Sequence, residues 1–296
     1  MTDQLTATLP AALDECALLD VVSGACILGS GGGGPLSLGE MMAQALGASG
    51  AQPVQVVAAE EVPGRAHMAI SAAFGSPDAA AAATSRDLAR VAVAAYEALE
   101  QATGAPFTHV LLGEIGAGNA LIPMLVAQAK GLPVVDAAGA PRAMPLLSNC
   151  VLADPACKAP VSPLAFSNGT DTFGATASNA VLADGMMRAL GGDGDLFPEF
   201  GGAALWALDG ETMQRHALAG TLTRAWALGK ALREAPAGAK VETVCALLGG
   251  EVLYVGDRIE ASEQTSGAFD VNVTTLHALD GEGGEAELSV YGQNEN

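Results

Sequence analysis

The sequence is short of aromatic residues, of basic residues and of paired cysteines, and each shortage narrows what the chain can be. Aromatic side chains make up only 4% of its 296 residues. That disfavours a β-sandwich with a large aromatic core. Lys and Arg number 13 against 33 Asp and Glu, a formal net charge of −20. Such a surface repels phosphate backbones and anionic lipid, so nucleic acid and membrane are poor partners. The five cysteines (Cys16, Cys26, Cys150, Cys157 and Cys245) are odd in number, scattered, and include no CxxC pair. This argues against a disulfide framework and against a structural zinc site. Glycine, proline or charge interrupts every apolar stretch well short of a membrane span. The start, MTDQLTATLPAALDE, has no basic segment leading into an apolar one. No secretory signal is expected there, and the cytoplasm is the expected location.

Small apolar residues and 37 glycines are what the chain has in quantity. At this length about three quarters of the unfolded surface can be buried, so the core needs no staples. Small side chains let helices lie close to sheets, which favours layered α/β packing. The spacing of apolar residues predicts helices over 12–28, 36–46, 79–102, 119–130, 175–190 and 222–234. Strands are predicted at 54–57, 67–71, 110–112 and 132–136. Residues 107–136 thus read as one βαβ unit with parallel strands. Beyond Pro145 the chain becomes loop-rich, and 191–202 reads as a flexible connection. Three short strand-like runs follow, VLYVGDRI, FDVNVTTL and AELSVYG. The expected organisation is an N-terminal layered α/β domain over 1–160 and a more β-rich α+β domain over 161–296. The stop at YGQNEN, directly after a strand-like run, predicts an incomplete C-terminal part or a longer natural product.

In an open parallel sheet, ligands collect beyond the carboxyl ends of the strands. Two consecutive strands deliver acids to that edge, Glu114 and Asp136. Asn119 opens the predicted helix between them, where it could cap the helix or reach a ligand. Arg142, a few residues on, could pair with Asp136 or hold an anionic substrate group. Gly31, Gly32, Gly33 and Gly34 precede a helix and expose backbone N–H groups suited to an anion or a carbonyl oxygen. No Gly-Lys-Ser/Thr follows them, so this is not a Walker loop. A helix precedes them where a dinucleotide fingerprint needs a strand. His67, His109, His216 and His277 show no HxH or HExxH spacing. No cofactor is evident, and a divalent metal gathered from distant side chains stays open.

LGSGGGG at 28–34, GSP at 75–77, GEIGAGN at 113–119 and VVDAAGAPRAMP at 134–145 occur in an order that resembles one known family. It is the S-methyl-thiohydantoin desulfurase domain family, formerly domain of unknown function 917. GTLTRAWALGKAL, GGEVLYVGDRIEASEQTSGAF and the terminal QNEN extend the resemblance over nearly the whole chain. It implies an N-terminal α/β domain, a C-terminal domain with more β-structure, and turnover of hydantoin-like rings. That turnover includes replacement of sulfur at a thiohydantoin carbon. Ala138 and Leu146 stand where the family pattern carries acids. Within this reading Glu114 and Asp136 are the catalytic candidates. Gly31 to Gly34, Ser76, Asn119 and Arg142 are the substrate-binding candidates. The expected function is hydrolysis or desulfurisation of a hydantoin- or thiohydantoin-like ring by a homo-oligomer. A non-catalytic small-molecule-binding or accessory protein is the alternative. A nucleotide-dependent oxidoreductase rests on the glycine-rich turns alone.

Overall fold

A computed structural model describes residues 8–48, 50–75, 83–191, 196–197, 200–266, 269–278 and 287–295. The chain forms two compact units, residues 3–235 and 236–296. The expected boundary between residues 160 and 161 falls inside the first.

The larger unit is built on a nine-stranded mixed sheet. Its parallel centre runs β2 (Val54–Ala58), β5 (Val134–Ala138), β4 (His109–Leu112) and β3 (His67–Gly75). β1 (Ala12–Leu13) closes one side antiparallel to β2. On the other side β8 (Phe200–Asp209), β6 (Leu164–Ser167) and β7 (Thr172–Ala175) follow, all antiparallel. The short β9 (Leu218–Ala219) pairs with β5. The expected βαβ unit is present: β4 and β5 are parallel neighbours, with Val110 opposite Val134. Its helix starts three residues later than the apolar spacing suggests, at Ile122 rather than Asn119.

One face of the sheet is covered by α1 (Glu15–Gly29), α2 (Leu36–Leu46), α3 (Ser85–Thr103), α4 (Ile122–Lys130) and α7 (Thr221–Glu234). The other is covered by α5 (Ala180–Gly191), α6 (Gly210–His216) and the short 3-10 turns between 147 and 157. Local chemistry sets several of these boundaries. Asp14 caps α1 by accepting from the Ala17 amide, and Thr84 with Asp87 forms a capping box at the start of α3. The Ala-rich run before Thr84 overlaps residues 76–82, which lie outside the described residues.

β8, β6 and β7 are strands that the apolar pattern does not mark. The start of β8, Phe-Gly-Gly, falls within 191–202, expected as a flexible connection, and is strand instead. Its glycine serves packing: a Cβ at Gly202 would collide with the Val91 carbonyl of α3. The small residue lets helix and strand approach backbone to backbone.

The helices α1 and α7 meet in the same way. A Cβ at Gly24 would fall on the Ala225 carbonyl, and one at Gly229 on the Asp20 carbonyl. Beside this contact the Arg233 guanidinium grips Asp20 through two bonds, 2.7 and 2.9 Å long. The two-bond geometry matches the planar guanidinium to the carboxylate.

The smaller unit contains α8 (Lys240–Leu248) and an antiparallel three-stranded sheet, β10 (Gly256–Ser266), β11 (Phe269–Ala278) and β12 (Glu287–Glu295). His277 lies between Glu260 and Glu287 on one of its faces. Among the described residues no helix of the chain is long and apolar enough to cross a membrane.

The glycine-mediated helix contact can be tested against a glycine that has room. Gly229→Ala forces α1 and α7 apart and is expected to cost about 1–3 kcal/mol. Gly185→Ala, on α5 with no atom near its Cβ position, should be neutral or stabilising by up to about 1 kcal/mol, from helix propensity. The melting temperature should fall in Gly229→Ala and hold or rise in Gly185→Ala; equal falls would contradict the packing account.

Candidate functional site

The site is built from three loops at the carboxyl edge of the parallel strands. The first follows α1, where Ser30, Gly31, Gly33 and Gly34 all adopt positive φ (52°, 95°, 78° and 90°). Only glycine holds most of that path without strain. The second is 113–121, between β4 and α4, and the third is 139–147, after β5.

The first two loops touch at their backbones. A Cβ at Gly33 would lie 2.6 Å from the Gly116 Cα, closer than real Cβ atoms come. The Gly33 carbonyl accepts from the amides of Gly118 and Asn119, at 2.8 and 2.9 Å. The third loop closes on the first: a Cβ at Gly32 would meet the Ala143 side chain at 2.8 Å. Glycines at 32, 33 and 116 are thus what the geometry requires.

Glu114 sits where the three loops meet and is buried. Its Oε1 accepts from Asn119 Nδ2 at 2.6 Å, and its Oε2 accepts from the Met144 amide at 2.6 Å. Oε1 is also 3.3 Å from the place a Gly33 Cβ would occupy. Glu114, Asn119 and the glycine loop are therefore one cluster. Asn119 does not cap α4, as the apolar spacing suggested. It lies in the turn before that helix and gives its amide to the carboxylate.

Asp136 has different partners. Its Oδ1 accepts from the Leu222 and Thr223 amides at 2.8 and 3.2 Å, and its Oδ2 accepts from the Thr223 hydroxyl at 2.5 Å. Its own carbonyl accepts from Gly220. These bonds place the carboxylate on the first turn of α7, whose own N-cap residue is Gly220. A carboxylate there satisfies free amides and faces the positive end of the helix dipole. Arg142 is exposed, and the bonds of Asp136 go to α7 instead of to it. Ser76 lies outside the described residues.

Two residues that the sequence did not single out belong to the surroundings. Met144 contributes its backbone amide, a contact no residue-type pattern reveals. Cys150 lies beneath Gly139, where an added Cβ would run into its Sγ. Burial pushes the Cys150 thiol up to about 11, and the charge of Glu114 adds a smaller push in the same direction. Such a thiol is scarcely ionised at neutral pH and is a packing group. Among the described residues no three His, Cys, Asp or Glu side chains converge as a metal site.

The cap on α7 is open to direct test. Asp136→Ala leaves two amides and a hydroxyl without their acceptor and is expected to cost about 1–3 kcal/mol. Hydrogen exchange at Leu222 and Thr223 should accelerate selectively. Unchanged exchange at those two amides would show that the cap is not held by Asp136.

Comparison with known proteins agrees with this architecture. The crystal structure of a protein from Chromobacterium violaceum, a structural genomics target, superposes with a TM-score of 0.71 at 24% identity. The match covers 94% of this chain and 77% of that one. No curated protein matches. Residues 17–177 match the S-Me-THD-like N-terminal domain, and residues 179–296 match the S-Me-THD-like C-terminal domain. The two matches span both compact units and every loop of the site, and the chain belongs to the S-Me-THD-like family.

Proposed function

We propose that the protein hydrolyses a hydantoin- or thiohydantoin-like ring, with Glu114 as the general base. The observation that supports this most is a buried carboxylate, held by two N–H donors, beside a loop of positive-φ glycines. The family supplies the substrate class, and the cluster supplies groups that suit the chemistry.

Replacement of sulfur on a thiohydantoin-like ring requires water to attack the carbon bonded to sulfur. The base takes a proton from that water as the new C–O bond forms. Negative charge builds on the ring heteroatom until the carbon–sulfur bond breaks. A thiol or hydrogen sulfide then leaves with a proton, and the ring keeps a carbonyl in place of sulfur. Amides of the glycine loop, at Gly31, Gly33 and Gly34, are the donors for the developing charge, the Gly32 amide being bonded to the Gly29 carbonyl; backbone N–H groups fixed by the fold need no reorganisation as the charge appears. Asn119 serves by orienting Glu114. We assign the base to Glu114 over Asp136 because Glu114 lies against the glycine loop, whereas the bonds of Asp136 go to the first turn of α7.

The experiment is thiol or sulfide release from S-methyl-thiohydantoin and thiohydantoin by wild type and by Glu114→Gln. The substitution keeps the shape but removes the base, and turnover should fall by about 10²–10⁴-fold. One of the two N–H donors loses its acceptor, which costs about 1–3 kcal/mol of stability. Wild-type turnover in a folded Glu114→Gln protein would overturn the assignment. Tight ring binding without turnover by the wild type would instead favour the accessory, non-catalytic role, in keeping with Ala138 and Leu146 at the acid positions.

A further inference from the structure

We infer that the Asp184–Arg188 pair on α5 is a positioning device for Glu114, acting through the backbone of residues 144–147. The importance of that position for turnover rests on the reading of Glu114 as the base; the geometric coupling does not.

Asp184 is buried, at 7% exposure, on the side of α5 that faces the third loop. Its Oδ1 accepts from the Leu147 amide at 3.1 Å. Its Oδ2 takes the Arg188 Nε at 2.7 Å, one helical turn on. Arg188 then extends Nη2 to the Pro145 carbonyl, 2.9 Å away. The pair therefore holds the loop at two places, a carbonyl at 145 and an amide at 147. The Met144 amide, which donates to Glu114 Oε2, lies one residue before the first of them. Pro145 has a fixed φ, so a displacement of its carbonyl carries to Met144 with little slack. On its other side the loop is tied to β4, since the Gly139 amide donates to the Leu112 carbonyl.

Energetics favour this role over simple stabilisation. A buried carboxylate gives up hydration, and an ion pair recovers that loss only in part. What the pair adds is geometry: a planar guanidinium joins a carboxylate and a carbonyl in one plane of bonds. The joined groups lie on α5 and in the loop, with 43 residues of sequence between Arg188 and Pro145. Neither segment could set the position of Met144 alone.

The test reads the Met144 amide itself. Protein labelled with 15N-methionine gives amide signals from its methionines alone, and Met144→Leu identifies the one that matters. In wild type this amide should shift as the pH is lowered through the titration of Glu114, and Glu114→Gln should abolish that response. In Asp184→Asn and Arg188→Gln the response should shrink by half or more. Exchange of the amide with solvent should accelerate about tenfold, a local opening and not a global one. Arg188→Lys retains the charge without the planar geometry and should fall between.

Where turnover is measurable, the acid limb of kcat/KM should move to higher pH, because a carboxylate that loses a donor is easier to protonate. KM should change less than kcat. A folded Arg188→Gln protein whose Met144 amide titrates and exchanges as in wild type would overturn the inference, even if Asp184→Asn failed to fold. A lower melting temperature with an unchanged Met144 amide would overturn it equally, by showing a structural role only. If the Met144 amide responds as expected while wild type turns over no ring, the positioning stands and the hydrolase reading falls.

Discussion

The backbone contact between Gly33 and Gly116 is the constraint on which the site depends. It brings a loop that ends a helix against a loop that leaves a strand, with no side chain between them. The Gly33 carbonyl then bonds two amides of the second loop, and Glu114 is placed against the first. A Cβ at either position would come within about 2.6 Å of the facing Cα and force the loops apart. Chain entropy is the cost of four consecutive glycines, and this contact is the return on it.

The two acids at the strand ends show how one sequence signal divides into separate physical roles. Glu114 and Asp136 follow adjacent parallel strands and are both buried. One accepts from a side-chain amide and a loop amide that converge on it from separate loops. The other is spent on the first turn of a distant helix. Burial and position are the same, so only the identity of the donors separates the carboxylate that joins two loops from the one that seats a helix. The larger unit thus has Asp136 at the seat of α7 and Glu114 where the glycine loop meets its neighbours.

Much of the fold was legible in the sequence, for reasons tied to particular residues. The apolar runs at 110–112 and 132–136, with glycine between them and helical spacing in the intervening stretch, identify a βαβ unit with little ambiguity. The glycine loop was legible because four glycines in a row have few other uses. The strand Phe200–Asp209 was not, since Gly202 is there for close approach to α3 and Gly201 leaves room for the rings of Phe74 and Phe197, and both weaken the strand signal. The function of Asp136 was hidden because its partners lie 86 and 87 residues away. Met144 was hidden because its contribution is a backbone amide. Sequence patterns report which side chains could act; they are silent about which backbone groups come to meet them.

The pairing of α1 with α7 has a consequence for how the chain matures. α1 lies at the beginning of the larger unit and α7 at its end, more than 190 residues apart (Gly24 against Ala225 and Gly229). At a synthesis rate of about 5–20 residues per second, the first helix waits on the order of ten to forty seconds for its partner. During that interval the face of α1 that carries Gly24 has nothing to rest on, and Asp20 lacks the guanidinium that will hold it. The nascent chain is therefore vulnerable at α1, and the last helix of the unit is the latch that ends the exposure.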